Sequence, residues 1–438
     1  MNVLFLTPDF LLPADHGGRI RTLAQLRVLA SLEAVERISL FFLCEDEVTP
    51  DDREALIRQV DKLEVFDPVF HPVHLKKYPR YIPHVAWLRA MHGVPYLAGK
   101  WDSPEVRRRL ERDLAGRDFD VVWFNGLGIT RYLSLVRRLQ PGARLVLDQH
   151  NVESDRFLQF AQRQRGVRRL IANAEWRAAR SYERDVMRTV DAVGAISRDD
   201  ARTYRALAGV EARTVPHVVS FEPRTEAGAS GPRLCWIGNL TWEPNARGLD
   251  WFCREVWPLV RARLPDATLE IAGSGLRTDE HGFAIAPSAW RVPGVATLGF
   301  VEDLMPIYRR SAAMVAPILG GAGIRIKLIE AFAHGIPVVT TPDGAAGLPI
   351  EAGREAFVES APAAFAARAV ELVTNGTQRA RFREAGYAFL ARHNGVAEAE
   401  AAVSSLLGSP SAESGTPSRA AIAERYSASK LRTEVAQP

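Results

Sequence analysis

Between Gly320 and Gly335 the chain reads GGAGIRIKLIEAFAHG, a glycine turn, two cations and one carboxylate within sixteen residues. Gly320, Gly321 and Gly323 allow positive φ and a close approach of backbone to a ligand. The spacing predicts a helix from Ile324 to His334. The N–H groups around Ala322, Gly323 and Ile324 would then lie unpaired at its positive end, where anions bind. Arg325 and Lys327 add full charge there, one a planar fork and one a point charge, which suits a diphosphate. Glu330, about one and a half turns further on, is unsuited to phosphate but suited to accept hydrogen bonds from ribose hydroxyls. Together these residues read as a site for a sugar nucleotide. Singly, each also fits a glycine turn before an amphipathic helix with Leu328, Ile329, Ala331 and Phe332 as its core face.

Other candidates stand at the ends of apolar runs. Gly17 and Gly18 follow the first such run and precede a helix expected over Arg19–Leu32, which puts N–H groups at the carboxyl end of a strand, where parallel sheets bind ligands. A tight loop using glycine only for its φ angles is the other reading. The dinucleotide pattern GxGxxG is absent, which argues against an NAD enzyme. His150 comes directly after LVLD, in QHNVES, and so also belongs at a sheet edge, able to bond a sugar hydroxyl or handle a proton near neutral pH. Capping the helix that starts near Glu153 is its alternative role, which Asn151 or Ser154 could fill equally well. Gly238 and Asn239 follow the strand that opens the second half, in IGNLTWEPNARG, and IAGSG at 271–275 ends another strand.

These groups need a scaffold of parallel strands. Short apolar runs alternate with helical patterns along the chain, the signature of α/β folding with crossover helices. Strands are expected at Val3–Thr7, Ile38–Leu43, Val121–Phe124, Leu145–Asp148 and Ala192–Ile196. The rhythm restarts at Arg233–Ile237, Thr268–Ala272, Ala296–Leu298, Met314–Ala316 and Val338–Thr340. Helices are expected near Pro104–Ala115, Glu153–Thr189, Ala246–Arg263 and Asp303–Arg310. A polar stretch rich in glycine and proline begins at Ser220 and reads as a linker. The expected division is a Rossmann-like domain over 1–219, a linker over 220–232, a second Rossmann-like domain over 233–390, a helix over 391–407 and a disordered tail over 408–438.

Composition narrows the class. At 438 residues, 47% hydrophobic and 25% charged, the chain reads as a soluble protein of two domains. Cys44, Cys235 and Cys253 form no CxxC pair, so neither a disulfide framework nor a thiolate metal site is indicated, and a reducing cytoplasm is the simplest location. The first ten residues lack a basic leader region, and no apolar run is long enough to span a bilayer. The net charge of +4 comes from arginines interspersed with acids, as in RRRLERDLAGRD, which indicates solvated helix faces and no nucleic-acid partner. Residues 78–101 mix aromatics, prolines and arginines; such a segment can line a binding cleft, form an ordinary helix pair, or lie peripherally on a membrane.

Two Rossmann-like halves, DHGGRIRTLAQL in the first loop, LDQHNVES, SYERDVMRTVDAVGAISRDD, CWIGNLTWEPNARGLDWF, FVEDLMPIYRRSAAMVAPI and the Gly320–Gly335 run together resemble the GT-B glycosyltransferases of family 4. The likeness covers roughly residues 1 to 405, and its wording is most similar to sugar transferases of bacterial exopolysaccharide operons, including those found with exosortase (PEP-CTERM) systems. It implies two parallel sheets facing one another across a cleft. The nucleoside-diphosphate sugar is then held mainly by the second half and a saccharide or lipid-linked acceptor by the first, with retention at the anomeric carbon. No metal or cofactor is implied, cations and backbone dipoles stabilising the departing diphosphate. The resemblance assigns Arg325, Lys327 and His150 to catalysis, and Gly17, Gly18, Gly238, Asn239, Gly321, Ala322, Gly323, Ile324 and Glu330 to the donor. The chain departs from the family in two places. Ala322 stands where many members carry a second glutamate, and Asn239 and Asn245 stand near the positions of a usual Arg and Lys. A GT-B nucleotide-sugar epimerase and a catalytically inactive sugar-nucleotide-binding scaffold remain the alternatives.

Overall fold

A computed structural model describes residues 1–14, 17–72, 78–219, 221, 223, 231–279, 284–321 and 324–408. Ala322 and Gly323, most of the 220–232 linker and the 409–438 stretch of the expected tail therefore lie outside the described residues. The chain divides into two compact units. Among the described residues, the first contains those of Met1–Pro13, of Thr22–Val215 and from Ala399 onward, and the second those of Ala14–Arg21 and Pro216–Glu398.

The first unit is built on strands β1 (Asn2–Thr7), β2 (Arg37–Cys44), β3 (Leu63–Val65), β4 (Val69–Phe70), β5 (Val121–Asn125), β6 (Arg144–Gln149), β7 (Ala192–Ala195) and β8 (Ala212–Thr214). They form a parallel sheet in the order β3-β2-β1-β5-β6-β7-β8, with β4 also pairing β2. Strand β1 is buried almost throughout because helices cover both faces of such a sheet, and its run of apolar residues replaces the alternation of a half-exposed strand. The order reverses direction between β1 and β5, where an open parallel sheet splays its loops apart and leaves room for a ligand. Helix α1 (Gly17–Ser31) follows β1. Helix α2 (Ile82–His92) lies in the aromatic segment. The single helix expected over Glu153–Thr189 is two, α3 (Glu153–Arg163) and α4 (Gly166–Thr189), because Gly166 takes φ of +56° and turns the chain back.

The second unit has strands β9 (Arg233–Ile237), β10 (Thr268–Ala272), β11 (Val295–Gly299), β12 (Ala313–Ala316), β13 (Val338–Thr340) and β14 (Ala356–Val358), parallel in the order β11-β10-β9-β12-β13-β14. Strand β9 illustrates how the layers are made. Leu234 and Trp236 face one core, with Phe252, Trp257 and Phe365, while Cys235 and Ile237 face the other, with Leu328, Ile329 and Phe332. The switch point lies between β9 and β12. Helix α5 (Glu243–Trp251) follows β9, α6 (Ile326–Ala333) follows β12, and α7 (Gly376–His393) packs on α6. The closing helix α8 (Val396–Leu407) belongs mostly to the first unit, where Arg144 Nε donates to Leu406 O (2.8 Å) and Ser31 Oγ to Glu400 (2.7 Å).

Candidate functional site

Helix α6 begins at Ile326, two residues later than the spacing predicts, and this shift separates the two cations. Arg325 occupies the N-cap position, and its side chain folds back into the preceding loop. Its Nη2 donates to the carbonyls of Gly320 (3.3 Å), Gly321 (3.0 Å) and Asp343 (3.1 Å), and its guanidinium lies 5.0 Å from the Trp242 ring centroid. The residue is only 4% exposed. Burial lowers its pKa to about 10 against the opposing pull of Asp343, so it stays charged at neutral pH. Arg325 thus holds the glycine loop in shape, satisfying carbonyls that the positive φ angles of Gly320 (+85°) and Gly321 (+95°) turn inward. A Cβ on Gly321 would stand 2.4 Å from Trp242, so this turn requires glycine.

Lys327 sits differently. Its ammonium lies 4.3 Å from the centroid of the Trp236 ring and donates to Asn245 Oδ1 at 2.9 Å. Asn245 is its one hydrogen-bond partner among the described residues, and no carboxylate pairs with it there. Asn245 is itself buried and fixed, its Nδ2 donating to Asn239 O at 2.6 Å. The Asn239 side chain in turn accepts from Thr241 N (2.7 Å) and Thr241 Oγ1 (2.6 Å), which pins the turn after β9. Gly238, with φ of +156°, leaves the space that the lysine occupies, since a Cβ there would come within 2.5 Å of Nζ. Desolvation, assisted by the charge of Arg325 and opposed by Glu330, lowers the lysine pKa to about 7. Glu330, half-buried one turn further along α6, forms no hydrogen bond or ion pair through its carboxylate with the described residues. Burial raises its pKa to about 7 despite the nearby lysine. The turn at IAGSG packs against the same loop: Gly273 donates to Gly299 O (2.7 Å), and a Cβ on Gly273 would overlap Gly238 O.

Gly17 and Gly18 form the first turn of α1 rather than the loop before it, and neither takes a positive φ. Gly17 serves close approach, since a Cβ there would meet Ile326 Cδ1 at 3.2 Å within the second unit. Ile324 packs its side chain against the core around Leu328 and Phe332.

In the first unit the switch point carries a second polar cluster. His150 Nε2 contacts Asn125 Oδ1 at 2.8 Å and lies 3.6 Å from Asp148 Oδ2. Asn125 donates to Thr7 Oγ1 (3.2 Å) and Thr22 Oγ1 (2.9 Å), and Gln25 donates to Asp148 (2.5 Å). Residues at the carboxyl ends of β1, β5 and β6 thus hold the imidazole, which stays partly exposed at the sheet edge. Capping of α3 falls to Glu183 from α4, whose carboxylate accepts from the N–H groups of Glu153 (2.9 Å) and Ser154 (3.0 Å). Sequence reasoning missed Glu183 because the contact spans thirty residues. It also missed Trp236 and Trp242, for which the tryptophans flanking IGNLT were the available signal.

Residues 231–375 match the family Glycosyl transferases group 1. Similarity to solved structures extends further along the chain. HepE of Anabaena in complex with UDP-glucose matches with a TM-score of 0.62 at 14% identity, over 93% of this chain and 99% of that one. A TarM variant of S. aureus in complex with fondaparinux, alpha-GlcNAc-glycerol and UDP matches with a TM-score of 0.65 at 10% identity, over 93% and 100%. A 44.6 kDa protein in the cps region of Klebsiella pneumoniae is 21% identical over 379 residues, covering 85% of this chain and 91% of its own. The fold is GT-B, and the family match falls within the second unit.

Proposed function

We propose that the chain moves a sugar from a nucleoside-diphosphate sugar to a saccharide or lipid-linked acceptor during synthesis of a bacterial surface polysaccharide. Transfer retains configuration at the anomeric carbon and uses no metal. The observation that carries this reading is the Lys327 ammonium, seated at the switch point of the second sheet with an amide as its one hydrogen-bond partner among the described residues. An ammonium so placed has donors left for an anion, and a departing diphosphate supplies one. Glu330 accepts the ribose hydroxyls, and Gly238 and Gly321 let the backbone come close to the nucleotide. Arg325 acts one step back, fixing the loop that presents N–H groups to the phosphates. In the first unit, His150 serves the acceptor during transfer. Among the described residues no side chain near Lys327 is placed as a nucleophile, which agrees with front-face departure in which the leaving phosphate helps to take the acceptor proton. The cps-region relative and the UDP complexes of the structural neighbours support a uridine donor and a glycan product.

The test is to incubate the protein with UDP-sugars and candidate acceptors, measure UDP release, and determine the anomeric configuration of the product by NMR. Retained configuration without added metal is expected. An inverted product, dependence on a divalent ion, or UDP binding without turnover on any acceptor would each refute part of the reading, the last in favour of a scaffold.

A further inference from the structure

The turn between α3 and α4 projects a surface that the chemistry above does not use. Phe160 is 55% exposed, Val167 71%, Leu170 69% and Ile171 66%, all within one or two helical turns of the Gln164–Arg165 bend. Val167, Leu170 and Ile171 fall at i, i+3 and i+4 and so share one face of α4. Isolated exposed apolar residues are ordinary, but a clustered set of this size on one helix end marks a contact surface. Around them the segment 157–174, FLQFAQRQRGVRRLIANA, carries four arginines and no acid. Arg163, Arg165, Arg168 and Arg169 are all exposed. Arg165, Arg168 and Arg169 form no ion pair with the described residues. This acid-free run contrasts with the interspersed charges elsewhere in the chain. One turn beyond Ile171, Glu175 accepts from Arg89 Nε (3.0 Å) and from Tyr96 N, which fastens α2 beside the same part of α4; Ile82, Trp87 and Met91 of α2 are exposed too.

We propose that the α3–α4 turn docks the protein on the surface of an anionic bilayer, with Val167, Leu170 and Ile171 entering the headgroup region and the arginines binding lipid phosphates. Charge decides between a membrane and a second copy of the chain. A self-contact through this face would bring four arginines against four, whereas an anionic leaflet complements them. The mode is peripheral, since no described helix is long and apolar enough to cross a membrane.

Flotation of the whole protein with vesicles tests this without any sugar nucleotide, so its result is independent of the proposed reaction. Vesicles of phosphatidylcholine mixed with phosphatidylglycerol should carry the protein upward, pure phosphatidylcholine should not, and high salt should release it. Replacing Arg165, Arg168 and Arg169 by Gln should weaken partitioning roughly a hundredfold, at about fivefold per basic side chain near an anionic surface. Val167→Ser, Leu170→Ser and Ile171→Ser together should abolish binding while thermal unfolding stays unchanged, because these side chains are already in solvent. Binding equal to the unaltered protein in either triple variant, or indifference to phosphatidylglycerol, overturns the proposal. So does a dimer in light scattering that the apolar triple variant splits, which would assign the face to self-association.

Discussion

The carboxyl edges of the two sheets share a topology and differ in how their polar groups are satisfied. At the first edge, Thr7, Thr22, Gln25, Asn125, Asp148 and His150 hydrogen-bond one another, and the partly exposed imidazole is oriented by fixed neighbours. At the second, glycines replace side chains. They draw backbone in so tightly that one ammonium is desolvated over an indole, with an amide as its one hydrogen-bond partner among the described residues. The first arrangement specifies an orientation. The second stores unpaired charge, and stored charge is what a site needs when the ligand is an anion.

The largest effect is expected from Lys327→Met. If the ammonium stabilises the leaving diphosphate, UDP release should fall on the order of 10²-fold or more, which steady-state kinetics would read. A loss under threefold would move the charge chemistry elsewhere. Arg325→Ala should act on folding instead. It orphans the carbonyls of Gly320, Gly321 and Asp343 and should cost about 1–3 kcal/mol in thermal or urea unfolding. A stability unchanged by this substitution would return Arg325 to direct phosphate contact.

A pH series sharpens the difference. With its pKa at about 7 in the free protein, Lys327 is protonated below that pH and progressively neutral above it, so UDP affinity should be greatest below pH 7 and decline as pH rises through it. Glu330 loses its proton over the same range, and Arg325, the other charge acting on the lysine, stays protonated throughout. Asn245→Asp places a carboxylate against the ammonium, raises the lysine pKa and should move the decline to higher pH, as isothermal titration calorimetry across the range would show. The smallest expected effect is from His150→Ala, which should leave UDP affinity unchanged while lowering transfer to acceptor. A weakened UDP complex would place the imidazole on the donor.

Strands bounded by glycine or proline were legible to the residue: Arg233–Ile237, Thr268–Ala272 and Val338–Thr340 are as the apolar runs predict. The missed strands, β3, β4, β8 and β14, are two or three residues long, too short for a period to register. The constellation around Lys327 was legible as charge beside glycine, but the different settings of Lys327 and Arg325 were not. Those settings depend on which residue begins α6, and a two-residue shift sends one side chain back into the loop and leaves the other over Trp236. Asn245 registered only as a departure from a family pattern. Its role as the partner of Lys327 joins residues more than eighty positions apart, a relation that linear spacing does not contain.

The closing helix α8 buries Ala399, Val403 and Leu406 in the first unit, and Leu406 stands within 3.3 Å of the position a Cβ on Gly194 would take. The first unit is therefore completed by a helix that follows the whole of the second unit along the chain. While the second unit is being translated, the amino-terminal sheet waits on the ribosome with this seat unfilled. A chain that stops before Ala399 lacks this helix and leaves its seat on the first unit, beside Gly194, uncovered.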